Sequence, residues 1–396
     1  MKILFLTYYF EPDLCAGSFR NTSLFKEVTS KLTPSDTIEV ITTHPNRYDS
    51  YKVAADDFEK RAENIAINRI KIPIHRNGFL GQIKSFRIFF FTAISIAKNR
   101  EYDVVYASSS RLFTAFLGSK IARKKKAKLY LDIRDIFREN ILDIFTNSLL
   151  KLGLDLFLRP IENYTFKKAS HINLVSKGFE SYFLKFKQCE YTFFTNGIDA
   201  VFLEERKVKK KEVNDCKTIV YAGNIGEGQG LHIIIPKIAN ALRGNYKFVI
   251  FGDGGAKQKL VEALELENVK NVVLHKPINR NLLIEEYQKA DFLFLHLNKH
   301  KAFERVLPSK LFEYGAFDKP ILAGVSGYAA QFLKEHMNNS IVFDPGDSLA
   351  LLKELKNYSY KTGQRKSFLE HFSRKQINNE MAISIISLRD EENSYN

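Results

Sequence analysis

The sequence predicts an α/β protein made of two doubly wound, Rossmann-like parallel-sheet domains facing a central cleft. Three observations carry this expectation. At 396 residues the chain is longer than one hydrophobic core ordinarily serves, so two domains of similar size are expected. Short β-branched runs alternate with longer amphipathic segments almost throughout, the pattern of right-handed parallel crossovers. The alternation restarts after a charged stretch, LEERKVKKKEVNDCK at 203–217, which is poor in apolar residues and reads as the interdomain linker.

In the first half the expected strands are Ile3–Thr7, Thr37–Thr42, Val104–Tyr106, Lys128–Leu131 and His171–Leu174. In the second half they are Thr218–Tyr221, Lys247–Phe251, Val272–Leu274, Phe292–Leu295, Ile321–Leu322 and Ile341–Phe343. Such short, continuously apolar runs suit strands buried on both faces. Leu231–Leu242 and Lys257–Leu264 have helical spacing. The expected domains are 1–200 and 201–372. A helix over 373–396 then returns to the first domain and ends in a polar tail, RDEENSYN.

Composition excludes several classes. Three cysteines without a CxxC pair argue against a disulfide framework or a thiolate metal site, and suit a reducing compartment. The N-terminus, MKILFLTYYFEPD, is too short in its apolar run for a secretory signal and reads as a first buried strand. No stretch reaches membrane-spanning length; Phe86 to Ala97 comes nearest and is broken by Arg87. The net charge of +15 fits a solvated lysine-rich surface equally well as an anion-binding face. The cations do cluster in the first half, at RKKKAK (123–128), Lys167, Lys168, Lys185 and Lys187. Residues 79–98, FLGQIKSFRIFFFTAISIAK, form either a core helix or one that dips into a membrane surface. A cytoplasmic protein, peripheral on the inner face of the cytoplasmic membrane, is the expectation.

Ligands of doubly wound sheets bind outside the carboxyl ends of the strands, so the informative motifs should sit in strand-to-helix loops. After the first strand, Gly17 and Ser18 open a helix whose free N–H groups suit a phosphate; an ordinary capped turn is the alternative. YAGNIGEGQGL (221–231) places four glycines in eight residues between a strand and a helix. Gly223 and Gly230 allow close backbone approach there, and Asn224 and Gln229 can donate to phosphate oxygens. In FGDGG, Gly252 and Gly254 can lie against a nucleotide, while Asp253 either faces it or caps the next helix.

The densest segment is FERVLPSKLFEYGAFDKPILAG (303–324). Pro308 starts a helix, Ser309 and Lys310 stand at its beginning, and the Lys310 ammonium can reach a diphosphate. Glu313, one turn on and flanked by the apolar Leu311, Phe312 and Tyr314, can clasp both hydroxyls of a ribose. In LYLDIRD, Asp132 and Asp135 stand at a strand's carboxyl end. There they can orient or deprotonate an acceptor hydroxyl, or form a structural ion-pair turn with Arg134.

The ordered set TYYFEPDLCAGSFRN, LDIRD, TNGID, YAGNIGEGQGL, FGDGG and LPSKLFEYGAFDKPILA resembles family 4 glycosyltransferases over nearly the whole chain. The branch it looks most like contains bacterial amino-deoxysugar transferases of surface polysaccharide assembly, such as fucosaminyltransferases. The resemblance implies the GT-B fold, retention of anomeric configuration, and no metal or cofactor beyond a UDP-sugar donor. It implies that Glu313 holds the ribose, as the second acid of a signature with seven residues between two glutamates. It also implies that the Gly17–Ser18 and Gly223–Asn224 loops face the diphosphate and that backbone near Pro277 and Ile278 reads the base. Substrate contacts are thus expected along Ser309, Lys310, Leu311 and Glu313.

Two departures stand out. The first signature acid falls on Arg305, with Glu304 one position off, so Arg305 or Lys310 is expected to take the phosphate charge. The histidine that many relatives present to the donor from the first domain has no evident counterpart. The implied reaction moves an N-acetylated amino-deoxysugar onto a lipid-linked or glycan acceptor in capsule, O-antigen or related polysaccharide synthesis. A nucleotide-sugar epimerase or hydrolase on the same fold is the main rival. A nucleic-acid-binding protein is the other, and no recognised nucleic-acid motif supports it.

Overall fold

A computed structural model describes residues 1–46, 53–73, 79–109, 112–144, 147–204 and 216–389. It divides into two compact units: Met1–Asn196 with Lys375–Asn396, and Gly197–Arg374. Most of the charged stretch (205–215) and most of the polar tail (390–396) lie outside the described residues.

The first unit runs β1 (Lys2–Leu6), α1 (Ala16–Thr29), β2 (Thr37–Thr43), β3 (Phe58–Ala62), β4 (Ile65–Ile70), α2 (Phe79–Ala97), β5 (Val104–Ser109), α3 (Leu112–Lys125) and β6 (Lys128–Ile133). It continues with α4 (Phe137–Ile144), α5 (Ser148–Phe166), β7 (His171–Leu174), α6 (Glu180–Phe183) and β8 (Glu190–Thr192). Its eight strands lie in the order β3-β4-β2-β1-β5-β6-β7-β8. All pairings are parallel except β3 with β4. β3, β4 and β8 were not among the expected strands. β3 is a mostly exposed, charged edge, FEKRA, and β8 is only three residues long, so neither carries an apolar run.

Period-two alternation divides the core of this sheet. Phe5, Tyr106 and Tyr130 point to one face, where Leu24 and Phe25 of α1 meet Met381 and Ile385 of α14 (Arg374–Ser387). Leu6, Ala107 and Leu129 point to the other, where a Cβ on Gly118 of α3 would lie 2.5 Å from the Ala107 Cβ. Only glycine lets α3 lie so close to the sheet.

The second unit runs β9 (Lys217–Asn224), α7 (Leu231–Ala241), β10 (Tyr246–Asp253), α8 (Lys257–Leu266), β11 (Val272–His275), α9 (Arg280–Lys289) and β12 (Phe292–His296). α10 (Lys310–Gly315), β13 (Ile321–Gly324), α11 (Gly327–His336), β14 (Ser340–Phe343), α12 (Ser348–Asn357) and α13 (Lys366–His371) complete it. Its six strands are all parallel, in the order β11-β10-β9-β12-β13-β14. Ile219 and Tyr221 face α7, α8 and α12, while Val220 and Ala222 face α9, α10 and α11. Both units therefore have the doubly wound sheet the sequence predicts, and the fold is of the GT-B type.

Charge is handled unusually in the first unit's core. Arg20 of α1 is fully buried and grips Asp132, the penultimate residue of β6, through two hydrogen bonds of 2.9 Å each. The same guanidinium donates to the carbonyls of Phe194 and Thr195. Asn173 of β7 and the Tyr106 hydroxyl donate to the same carboxylate. Burial pushes the Asp132 carboxyl up, but the charge of Arg20 more than offsets this and holds it below its ordinary value. Its stabilising contribution is thus present above the unfolded carboxyl's pKa, about 3.9, and is lost as pH falls below it. Replacing Asp132 by Ala strands Arg20 in the core, and we expect a loss of about 3–5 kcal/mol in urea unfolding at neutral pH. A loss below about 1 kcal/mol would mean that the pair is dispensable.

Candidate functional site

In the second unit the strand order reverses between β9 and β12, each of which leads into a loop at its carboxyl end. That switch point is where doubly wound sheets offer a crevice. The loop after β9 is built to keep its own backbone accessible. Gly223 has φ +143°, and a Cβ there would lie 2.0 Å from the Lys310 ammonium. A side chain at 223 would therefore both strain the backbone and displace the lysine. The Lys310 Nζ also stands 5.2 Å above the Tyr221 ring, whose hydroxyl donates to the Asn224 carbonyl. The structure thus joins the two strongest sequence motifs, YAGN and LPSK, at one ammonium.

Glycines crowd the neighbouring strand end too. A Cβ on Gly252 would lie 2.1 Å from the Gly223 carbonyl, and one on Gly254 (φ +151°) 2.6 Å from the Ile225 carbonyl. Asp253 accepts from the Gly254 N–H and stands 3.9 Å from Lys257, so part of its capacity serves its own turn. Asn224 and Gln229 brace the loop from within: the Asn224 amide donates to Gln229 Oε1 at 2.7 Å. The sequence reading had both side chains free to donate to phosphate; here one Asn224 donor is already used. Gly230 caps α7 with φ +57°.

α10 is only six residues long, so side chains rather than a helix dipole dominate at its start. Ser309 precedes it without capping through its side chain. Glu313 is half-buried, and the buried Tyr287 hydroxyl approaches its Oε2 at 3.4 Å. Its Oε1 has no hydrogen-bond partner among the described residues. The Leu311 side chain is fully buried in the core, and its N–H donates to the Pro308 carbonyl. Arg305 ends a single 3-10 turn, Lys301–Arg305, seated against the first residue of α11. There a Cβ on Gly327 would lie 2.1 Å from the Glu304 carbonyl. Pro277 and Ile278 form the extended connection after β11, and Ile278 packs on the α9 side of the core.

His296, which the sequence reading passed over, ties this site together. It is buried at the end of β12, and its Nδ1 stands 2.7 Å from the Gln229 carbonyl. Its Nε2 accepts from the Gly346 N–H at 2.9 Å. One nitrogen must donate and the other accept, which fixes a neutral ring; burial lowers its pKa in the same sense. Asn298 adds bonds to the Glu227 and Gly228 carbonyls. The only sequence signal was a polar residue ending an otherwise apolar strand, FLFLH.

In the first unit, Gly17 and Ser18 lie in the first turn of α1, which Cys15 caps by accepting from the Ser18 N–H. A Cβ on Gly17 would lie 3.1 Å from the Arg134 guanidinium, so this turn and the LDIRD loop form one locus. Asp132 takes the structural alternative: it is fully buried and held by Arg20, and no acceptor hydroxyl can reach it. Asp135 differs, being only half-buried in the loop before α4. Among the described residues no three His, Cys, Asp or Glu side chains converge as metal ligands, and no helix is long and apolar enough to cross a membrane.

Comparison with known proteins adds a family match over part of the chain. Residues 203–371 match the glycosyl transferases group 1 family. The matched segment includes the β9 loop, the β10 turn, Lys310 and Glu313. The chain is also 35% identical over 96 residues to the putative colanic acid biosynthesis glycosyl transferase WcaI of Escherichia coli (strain K12). That match covers 24% of this chain and about a quarter (23%) of WcaI. Among solved structures, Anabaena HepE in complex with UDP-glucose is similar with a TM-score of 0.65 at 16% identity, covering 98% of this chain and all of that one. The lipopolysaccharide outer core galactosyltransferase WaaB gives 0.60 at 14% identity, covering 97% and 99%. At such identities these structures speak for the fold alone.

Burial raises the Asp135 carboxyl to about 6, against the opposing pull of Arg134. A raised folded pKa means that the native state holds the proton over the window from about 4 to 6, where the unfolded chain has released it. Asp135 therefore makes stability fall as pH rises through that window. We expect Asp135→Asn to flatten the slope between about pH 4 and 6 in urea unfolding. An unaltered slope would assign the proton elsewhere.

Proposed function

We propose that the chain is a retaining, metal-independent glycosyltransferase that moves a sugar from a UDP-sugar onto a lipid-linked or glycan acceptor in polysaccharide synthesis. The observation that carries this reading is the Lys310 ammonium held against the side-chain-free backbone at Gly223, inside a group 1 glycosyl transferase segment. A fixed cation beside backbone that carries no side chain suits the charge that develops on a departing diphosphate, and it answers that charge without a metal. Arg305, standing where relatives carry an acid, adds a second cation on the same connection. Glu313, with Oε1 open and Oε2 steadied by Tyr287, suits the paired hydroxyls of a ribose. The glycine-rich turns at 223–230 and 252–254 suit a nucleotide lying against backbone, and Pro277 and Ile278 suit the base. Gly17 and Ser18, in the first turn of α1, suit a phosphate group.

Among the carboxylates of the first unit, Asp135 is the better candidate to orient or deprotonate an acceptor hydroxyl. Its pKa near 6 leaves it ionised yet basic at neutral pH. The similarity to the putative colanic acid transferase supports surface polysaccharide synthesis as the setting. An N-acetylated amino-deoxysugar donor and a site of action at the inner face of the cytoplasmic membrane extend the reading. Both rest on the family resemblance and on the clustered cations.

The test is a donor screen reading released UDP, with and without lipid-linked acceptors and with excess EDTA. EDTA should leave the rate unchanged. Lys310→Met should weaken UDP binding about 10–100-fold by calorimetry, the scale of a charge-assisted contact. Glu313→Ala should raise donor KM by a similar factor with a smaller change in kcat. UDP affinity untouched by both substitutions would remove the assignment. Rapid turnover of donor without acceptor would favour an epimerase or hydrolase instead.

A further inference from the structure

We propose that the outer face of α5 is a docking surface for an anionic lipid bilayer. The helix exposes a run of large apolar side chains rare on a solvated surface. Leu149 is 80% exposed, Leu156 63%, Phe157 60% and Leu152 57%. At 100° per residue these four fall in one arc, together with the exposed Gly153 and Pro160. A contiguous apolar face of this kind marks an interaction site.

The charges around it favour lipid over protein. α5 carries two acids, and neither lies free on the exposed arc. Asp155 is held by Arg138 and Arg159, and Glu162 is buried against Arg138, Tyr182 and Lys185. The arc continues one heptad past Phe157 to Tyr164, where the Arg123 guanidinium stacks at 5.3 Å. Tyr164 also lines a groove of about 380 Å³ with Lys98, Lys120, Arg123, Lys124 and Lys125, and no carboxylate lines it. Lys167 and Lys168 follow the helix, both exposed. An apolar stripe that grades into a cluster of cations matches the boundary between acyl chains and anionic headgroups.

The face differs from the one the sequence suggested. In α2 (79–97), Phe86 and Phe89 turn inward and pack with Tyr8, Phe90 and Phe113. That helix mainly completes the core, although Phe91 remains exposed.

This inference rests on the membrane-linked acceptor reading above, but its test needs no substrate. The full chain is sedimented with vesicles of phosphatidylglycerol and phosphatidylethanolamine, and with phosphatidylcholine alone. We expect binding to the first and little to the second. The double variant L152E/L156E should abolish it, and K120E/K124E should weaken it by roughly fivefold or more per cation and lower its salt dependence. Both variants change exposed side chains, so thermal unfolding and UDP affinity should match the parent. Absence of binding to anionic vesicles, or binding indifferent to L152E/L156E, overturns the proposal. So does self-association at micromolar concentration that the same variant abolishes, because the face would then join two copies. UDP affinity is read separately, so failure of the glycosyltransferase reading would be distinguishable from failure of this one.

Discussion

The second unit depends on one steric constraint: two backbone segments and an ammonium share a volume in which no side chain at 223 or 252 would fit. Gly223, Gly252 and Gly254 let the ends of β9 and β10 touch backbone to backbone. The room left above Gly223 is taken by the Lys310 Nζ. A lysine held this way loses little further freedom when an anion arrives, which is what pre-organisation means energetically. The constraint propagates outward. The loop must return to α7 without bulk, so Gly230 adopts a left-handed conformation, and His296 and Asn298 must hold its carbonyls from β12. Losing His296 would leave the Gln229 carbonyl and the Gly346 N–H, both part-buried, without this partner.

The first unit solves a different problem, placing charge where water is excluded. Asp132 and Asp135 are three residues apart yet have opposite electrostatics. Asp132 meets a fully buried guanidinium and stays ionised below its ordinary pKa. Asp135 lacks such a fork, and burial raises it to about 6. The difference traces to the strand. Asp132 is still within β6, where the side chain points to the α1 side and meets Arg20, whereas Asp135 has left the ladder. One carboxylate is thereby held in an ion pair, while its neighbour is ionised at neutral pH yet more basic than an ordinary carboxylate, the condition a base requires.

Much of this was legible in the sequence. Parallel strands buried on both faces leave short apolar runs, so eleven of the fourteen strands among the described residues could be read from their composition alone. β3 was missed because an exposed edge strand such as FEKRA has no reason to be apolar. Glycine clusters identified the β9 and β10 loops, because only a need for positive φ or close approach explains them there. What the sequence could not supply was pairing at long range. Nothing local says that Arg20 meets Asp132 across 112 positions, that His296 receives Gly346, or that the Asn224 amide turns to Gln229 rather than outward. The full burial of the Leu311 side chain was not legible for the same reason. On a six-residue helix, one turn carries both the residues facing the site and those facing the core, and the motif does not separate them.

The same limit explains the contrast between α2 and α5. Both are nineteen residues long and rich in large apolar side chains, and the phenylalanine-rich α2 is the more conspicuous in sequence. Whether an apolar helix is core or surface depends on what lies across from it. α2 meets Tyr8 and the aromatic side chains of α3, which bury much of its phenylalanine surface. α5 packs on α3 with an inner face that mixes the buried Leu158 and Phe166 with polar and charged anchors, Glu162, Thr165 and Asp155 with their partners. Leu149, Leu152, Leu156 and Phe157 stay exposed on the other side, so the helix is apolar on its outer face as well. Several large side chains left in water are unfavourable by their unburied area, on the order of 25 cal/mol per Å². That deficit is recovered only when something apolar covers the face.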